Sequence, residues 1–286
     1  MMLNDVKCWG GTAQPGKLLD IVPGLGKVKN ISVTGNTFCT ITLDDRVKCW
    51  GSNHYGQMGN GEISGVSDII SAGPYVSGLS DIVSISAGFY HVCAVKSNGT
   101  IFCWGRNDQG QLGDSTNVQR PNPTIVPNIS NAVKVDVGLS HTCALTDDQK
   151  IFCWGNDGVT SSLIPVEVLG VTSPIDIVAS QNVSCIITSN HLVECWGDNF
   201  SGMVGNGNKT PQDEPLEVQG LSNVEQLSIG YTHICAKKLN GTIHCWGHNV
   251  LSRISDDIND YILRPQVSHG EIEAEVMFAG RHKTWG

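Results

Sequence analysis

Residues His91 to Gly113 read HVCAVKSNGTIFCWGRNDQGQLG: two cysteines ten residues apart, a Trp-Gly pair, then a glycine-bracketed Gln-Leu. The midpoint between Cys93 and Cys103 is a residue, Asn98, so a hairpin joining them has an odd-numbered loop. A three-residue loop Ser97-Asn98-Gly99, with Gly99 left-handed, satisfies the turn rules. Lys96 and Thr100 then close the loop as a hydrogen-bonded pair. Counting outward by alternation, Cys93 and Cys103 fall opposite each other in a non-hydrogen-bonded pair, where side chains approach most closely.

The same spacing recurs at Cys39 and Cys49, Cys143 and Cys153, Cys185 and Cys195, and Cys235 and Cys245, so five hairpins set two thiols face to face. The tripeptide Cys-Trp-Gly occurs six times, at Cys8, Cys49, Cys103, Cys153, Cys195 and Cys245. A repeat of this period signals a solenoid or a propeller. Upstream segments such as VSGLSDIVSISAGFYHVCAV alternate short β-branched runs with turn residues, the pattern of three or four antiparallel strands per unit. No window carries a capped helical stripe. The expectation is an all-β protein, a single domain over residues 1–286, with six repeats of four-stranded antiparallel blades.

Three readings of the cysteines compete. They are small buried hydrophobes in a reducing cytosol, zinc ligands together with His91, His141 and His233, or disulfides. Burial alone does not require both partners of every hairpin to be cysteine. Zinc fails on regularity, since Thr37 and Val183 stand at the histidine position in the other units and a structural site wants about four ligands. The histidines read as packed structural side chains. The disulfide reading is favoured, and it points to a secreted, periplasmic or cell-surface protein. Cys8 has no partner ten residues before it. That, together with the absence of a secretory signal in MMLNDVKCWG, suggests sequence missing at an end.

The chain has 286 residues and a formal charge of −9. The acidic balance argues against nucleic acid as a partner. No run of about 18 apolar residues is present, so no membrane insertion is expected. Seven Asn-x-Ser/Thr sites, at Asn30, Asn98, Asn128, Asn182, Asn199, Asn208 and Asn240, form a mild excess pointing to glycosylation. SDDINDY at Ser255 to Tyr261 hints at calcium but lacks the spacing and glycine of a calcium loop, and reads as a solvated acidic loop. No catalytic residue, metal site or cofactor is expected.

CWGSNHYGQMGNG (Cys49 to Gly61) and CWGRNDQGQLGDST (Cys103 to Thr116), preceded by GFYHVCAV and GLSHTCAL, resemble the repeat of the regulator of chromosome condensation family, and in particular its disulfide-bearing extracellular members. The resemblance implies a β-propeller, usually of seven blades, against the six units counted here. It implies that an N-terminal strand, residues 5–10, completes the last blade. The units from Cys8, Cys153 and Cys245 lack the Gly-Gln-Leu-Gly turn, and the unit from Cys195 keeps it as Gly202-Met203-Val204-Gly205.

A propeller fixes no function by itself. The leading expectation is a monomeric, non-enzymatic module that binds another protein through rim loops 53–65, 107–118, 199–211 and 249–261. The candidate contacts are Asn53, His54, Tyr55, Asn107, Asp108, Gln109, Asn199, Phe200 and Asn249. The alternative is a cytosolic or nuclear guanine-nucleotide exchange factor for a small GTPase, the activity of the family's founding member, which would keep free thiols. A third reading, a lyase or glycan-binding propeller, requires a polar cluster on the central axis.

Overall fold

The computed structural model describes residues 22, 24–65, 72–249 and 260–268, with two short strands at 278–279 and 284–285. The first blade holds β1 (Val28–Thr34), β2 (Thr37–Thr42) and β3 (Val47–Gly51). Four blades of four strands follow. The second is β4 (Ile82–Ala87), β5 (His91–Lys96), β6 (Ile101–Gly105) and β7 (Arg120–Ile125). The third is β8 (Ala132–Val137), β9 (His141–Thr146), β10 (Ile151–Asn156) and β11 (Ser161–Glu167). The fourth is β12 (Pro174–Ser180), β13 (Val183–Thr188), β14 (Val193–Gly197) and β15 (Gln212–Glu217). The fifth is β16 (Val224–Ile229), β17 (His233–Lys238), β18 (Ile243–His248) and β19 (Tyr261–Val267). In the first blade Tyr75 bridges Lys48 and Val76 N donates to Val47 O, the bond that Val126 N makes to Ile101 O at the outer edge of the second.

The all-β propeller therefore has five antiparallel blades among the described residues, which corrects the expected six or seven. Cys-Trp-Gly marks only a third strand. A blade also needs the two strands before it, and five triplets have them as a cysteine-paired hairpin. The sixth triplet, Cys8, and strand 5–10 lie outside the described residues. A two-stranded ribbon, β20 (Phe278–Ala279) with β21 (Thr284–Trp285), follows the fifth blade.

Within each blade the central hairpin keeps one register. Cys39 pairs with Cys49, Cys93 with Cys103, Cys143 with Cys153, Cys185 with Cys195 and Cys235 with Cys245. Each pair is a disulfide with Cα atoms 4.1–4.2 Å apart, as close as a non-hydrogen-bonded antiparallel pair allows. Lys96 N donates to Thr100 O at 2.9 Å and Gly99 N to Lys96 O at 2.8 Å. Gly99 has φ of 81°, and Asp45, Gln149 and His191 take the same left-handed place in other blades.

The core lies between blades, each sheet presenting one apolar face to the next. Cys39, Ile41, Val47 and Cys49 pack against Ile85, Val92, Ala94 and Trp104 of the second blade. The tryptophan and glycine of each triplet have separate tasks. Trp104 Nε1 donates to Gln57 O at 2.7 Å, Trp154 Nε1 to Gln111 O at 3.0 Å, and Trp246 Nε1 to Met203 O at 2.6 Å, each reaching the Gly-Gln-Leu-Gly turn of the preceding blade. Gly105, with φ of 107°, bulges the strand so that Arg106 N reaches Tyr90 O at 2.9 Å; a Cβ there would lie 2.5 Å from that same carbonyl.

The first strands β1, β4, β8, β12 and β16 stand beside one another. At one register position Ser32, Ser86 and Asp136 each accept from the backbone of the next blade, at Ala87 N, Val137 N and Ala179 N. Ser86 Oγ also donates to Asp136. Burial pushes the Asp136 carboxyl up, against the pull of Lys134 and these hydrogen bonds. These inner polar groups are thus engaged in joining blades.

Candidate functional site

In every blade the connection from first to second strand and the connection from third to fourth emerge at the same end, so all the expected contact residues share one face. The structure separates them into two kinds. Asn53, Asn107, Asn199 and Asn249 are buried beneath the rim. Asn107 Oδ1 accepts from Leu112 N at 2.9 Å while its amide donates to Thr116 O and Val118 O. Asn53 and Asn199 repeat this with Met58 N and Glu62 O, and with Val204 N, Asn208 O and Thr210 O. Asn53, Asn107 and Asn199 thus organise their rim loops from beneath, and with Asn249 they are enclosed where a contact residue was expected to be exposed; the amide of Asn199 is equally withdrawn from glycosylation. His54, Asp108 and Phe200 are exposed, and Tyr55 and Gln109 half-buried.

Three residues of the first-to-second-strand loops, unremarked in the sequence, join Tyr55. Tyr55 meets Tyr90 edge-on with centroids 5.4 Å apart, Phe89 lies 6.1 Å from Tyr90, and Tyr231 of the fifth blade meets Phe89 at 5.8 Å. Arg106 stands over Tyr90 and Tyr55 at 5.0 and 5.4 Å and pairs with Asp108 at 2.6 Å. The hydrogen bond that Arg106 donates to the Asp108 carboxylate raises the pKa of the guanidinium. Burial acts to raise the Asp108 carboxyl, but Arg106 and Gln111 hold it below its ordinary value. The result is a half-buried aromatic surface with a fixed cation, the composition of a protein-contact hot spot. The repeated Gly-Phe-Tyr and Gly-Tyr-Thr after the first strands were its signal, but only the ring brings blades two and five together.

The histidines serve the joints beneath this face. His91 Nε2 meets Thr142 Oγ1 at 2.8 Å, and His141 Nε2 meets Ser184 Oγ at 2.8 Å, each reaching the next blade. Thr142 Oγ1 donates to Gln111 O, so His91 Nε2 is the donor. Where Val183 replaces histidine, the next blade offers Ile234 at the corresponding position, an apolar pair in place of a polar one. Burial lowers the pKa of His91 to about 3, helped by the charge of His141; burial lowers that of His141 to about 4, with Asp157 opposing. Among the described residues no group of three or more His, Cys, Asp or Glu is placed to hold a metal ion.

The repeat motif now has a structural meaning at each position, and comparison of the whole chain agrees. A model described as the regulator of chromosome condensation (RCC1) repeat matches residues 28–57, 82–111, 132–159 and 224–251, and a second matches 44–95, 98–145 and 193–236. The chain belongs to the RCC1 repeat family. E3 ubiquitin-protein ligase HERC2 of Homo sapiens is 32% identical over 107 residues, 36% of this chain and 2% of that protein. Ultraviolet-B receptor UVR8 of Arabidopsis thaliana is 33% identical over 89 residues, 30% of this chain and 19% of the receptor. The chain thus spans a small part of these relatives. Among solved structures, Prp20p of Saccharomyces cerevisiae superposes with a TM-score of 0.80 at 19% identity over 98% of this chain and 77% of its own. The ectodomain of receptor kinase CR4 of Physcomitrella patens gives 0.56 at 19% identity over 91% and 58%. Both likenesses show the RCC1 propeller fold.

Among the fully described third-to-fourth-strand connections, that of the third blade departs from the RCC1 pattern. Residues 106–119 connect β6 to β7 and 198–211 connect β14 to β15, but only 157–160 connect β10 to β11. Asp157 replaces the asparagine hub, and its carboxylate accepts from Val159 N, Thr160 N and Thr160 Oγ1. No turn is left to cover Trp196 of the fourth blade. A cavity of about 280 Å³ opens there, walled by Trp154, Trp196, Asp157, Asp213, Glu214 and the Cys153 side of a disulfide. Cys153 is half-buried, whereas the other nine bridged cysteines are at most 1% exposed. Access therefore singles out one bridge: mild reductant followed by rapid alkylation and peptide mapping is expected to label Cys143 and Cys153 first. Simultaneous labelling of all five pairs would show that global opening, not the cavity, admits the reductant.

Proposed function

We propose that this RCC1-repeat propeller is a non-enzymatic protein-binding module, secreted or displayed at the cell surface, and that the face around Tyr55, Phe89, Tyr90 and Arg106 contacts its partner. The observation that carries this reading is the half-buried aromatic cluster with its fixed guanidinium, since aromatic and arginine side chains dominate interface energetics. Five disulfides support a compartment outside the reducing cytosol, and the likeness to a receptor-kinase ectodomain points the same way.

A guanine-nucleotide exchange factor is the second reading, supported by the likeness to Prp20p, whose binding to Gsp1p and histones its structure reports. Both readings place a protein on the propeller and differ in thiol redox state. The test of the first is capture of partner proteins from the native extracellular milieu by immobilised wild-type chain and by a Tyr55→Ala/Arg106→Ala variant. A loss of roughly tenfold or more in retained partner is expected, the scale of removing two hot-spot residues. Asp148→Ala, at the opposite end of the third blade, is expected to retain it. Equal capture by all three proteins would remove the face from the interface.

A further inference from the structure

In three joints of the propeller a peptide turn fills the space beside a tryptophan and gives its carbonyl to the indole: Gln57 O to Trp104, Gln111 O to Trp154, Met203 O to Trp246. The turn's glycine is pressed against the ring, where a Cβ at Gly113 would lie 2.8 Å from Trp154. Its apolar residue, Leu112 or Val204, is buried in the joint. Between blades three and four that turn is missing. Trp196 is 3% exposed, yet among the described residues its Nε1 has no acceptor, and the cavity occupies the place of the turn. The buried apolar cluster of this joint is correspondingly small, with six members where the preceding joint has twelve. That N–H is not fully enclosed: it opens onto a space that elsewhere in the chain holds a carbonyl.

The surroundings define what would enter. Asp213 and Glu214 stand exposed at the mouth with no ion-pair partner among the described residues, while Glu167 is met by Lys150 at 3.4 Å. On the same wall, Val166 of the edge strand β11 and Leu169 just beyond that strand are exposed apolar side chains. The geometry points to a docking site for a turn of a partner protein that carries a lysine or arginine: its backbone carbonyl accepts from Trp196 Nε1, its apolar side chain fills the joint, and its cation is held by Asp213 and Glu214. The site rests on the protein-binding reading and gives that reading a second contact, on the flank of the ring.

The test uses the whole chain and two synthetic cyclic peptides built on the Gly-Gln-Leu-Gly turn of residues 110–113, one flanked by lysines and one by glutamates. Binding is followed by the indole 1H–15N resonance of Trp196, assigned through Trp196→Phe. The lysine peptide is expected to shift that resonance saturably. Its affinity is expected to fall roughly tenfold in Asp213→Asn/Glu214→Gln, and again roughly tenfold for the glutamate peptide, the scale of a charge-assisted hydrogen bond. Measured by isothermal titration calorimetry, which needs no indole signal, Trp196→Phe, which keeps an aromatic ring but removes the indole N–H, is expected to weaken the lysine peptide several-fold with the fold intact. An unmoved Trp196 resonance at millimolar lysine peptide would overturn the proposal, and so would equal affinity for the glutamate peptide or an unchanged affinity in the carboxylate variant. Because the peptides need no natural partner, failure here leaves the capture result at Tyr55 and Arg106 standing, and failure of that capture leaves this titration interpretable.

Discussion

Reduction and alkylation of the five hairpin disulfides is expected to unfold the propeller in buffer at neutral pH, without denaturant. Each bridge closes a short loop and stabilises mainly by constraining the unfolded chain, by about 2 kcal/mol when the hairpin turn already holds its ends together. Five bridges then amount to about 10 kcal/mol, the scale of the entire stability of a typical domain. Alkylation also adds volume at positions such as Cys93 and Cys185 that are fully enclosed between blades, where added bulk is itself destabilising. The comparison is urea denaturation, followed by tryptophan fluorescence, of oxidised chain and of chain reduced with the small thiols left unmodified. A midpoint for the reduced protein within about 1 M of the oxidised one would mean that the packed joints, not the bridges, hold the ring; about 1–3 kcal/mol per molar urea makes such a shift only a few kcal/mol.

Acidification from pH 7 to pH 5 is expected to cost the oxidised protein about 4 kcal/mol through His91 and His141. Burial holds their folded pKa values at about 3 and about 4, against about 6.5 in the unfolded chain. Between these values the unfolded state binds the extra proton, so stability falls as pH falls below 6.5, by about 1.4 kcal/mol per pH unit for each group. At pH 5 each histidine has lost about 2 kcal/mol. The carboxylates act lower: Asp108, Asp114 and Asp148 have depressed values and lose their contribution only as pH drops through the acid range. Asp136 works in the opposite sense, because its raised folded value favours the protonated form. Unfolding free energies measured at pH 7, 6 and 5 for the wild type and for His91→Gln/His141→Gln separate the two. The variant starts lower, having lost the bonds to Thr142 and Ser184, but its stability is expected to be nearly flat over this window. A flat wild-type profile would mean that the two imidazoles reach water.

How much of this was legible in the sequence follows from the range of each interaction. The hairpin register was readable because a three-residue turn with Gly99 in the left-handed place fixes parity locally, and parity alone sets Cys93 against Cys103. The blade count was not, because Cys-Trp-Gly reports one strand while a blade is a four-strand object. Counting paired cysteines gives the five blades described. The rim was half readable. Asparagine after Trp-Gly looks like a polar loop residue, yet Asn107 spends its amide on Leu112, Thr116 and Val118 and is wholly buried. Composition cannot distinguish a polar group that faces water from one that organises a loop. The aromatic cluster and the cavity beside Trp196 were out of reach for another reason: both are made by residues from different blades. The signal for the cavity was nevertheless present, in a third unit that reads CWGNDGVTSSLIPVEVLG and so keeps the tryptophan while omitting the turn that would cover its neighbour.

The central claim, a propeller stapled once per blade and working outside a reducing compartment, is tested most directly by intact mass of the chain isolated from its native source with thiols trapped at the moment of lysis or collection. The chain has eleven cysteines. The account predicts one alkylated thiol and a mass ten hydrogens below the fully reduced value, with the bridges mapped to the five hairpins. Eleven alkylated thiols would contradict it and bring the cytosolic exchange-factor reading to the front.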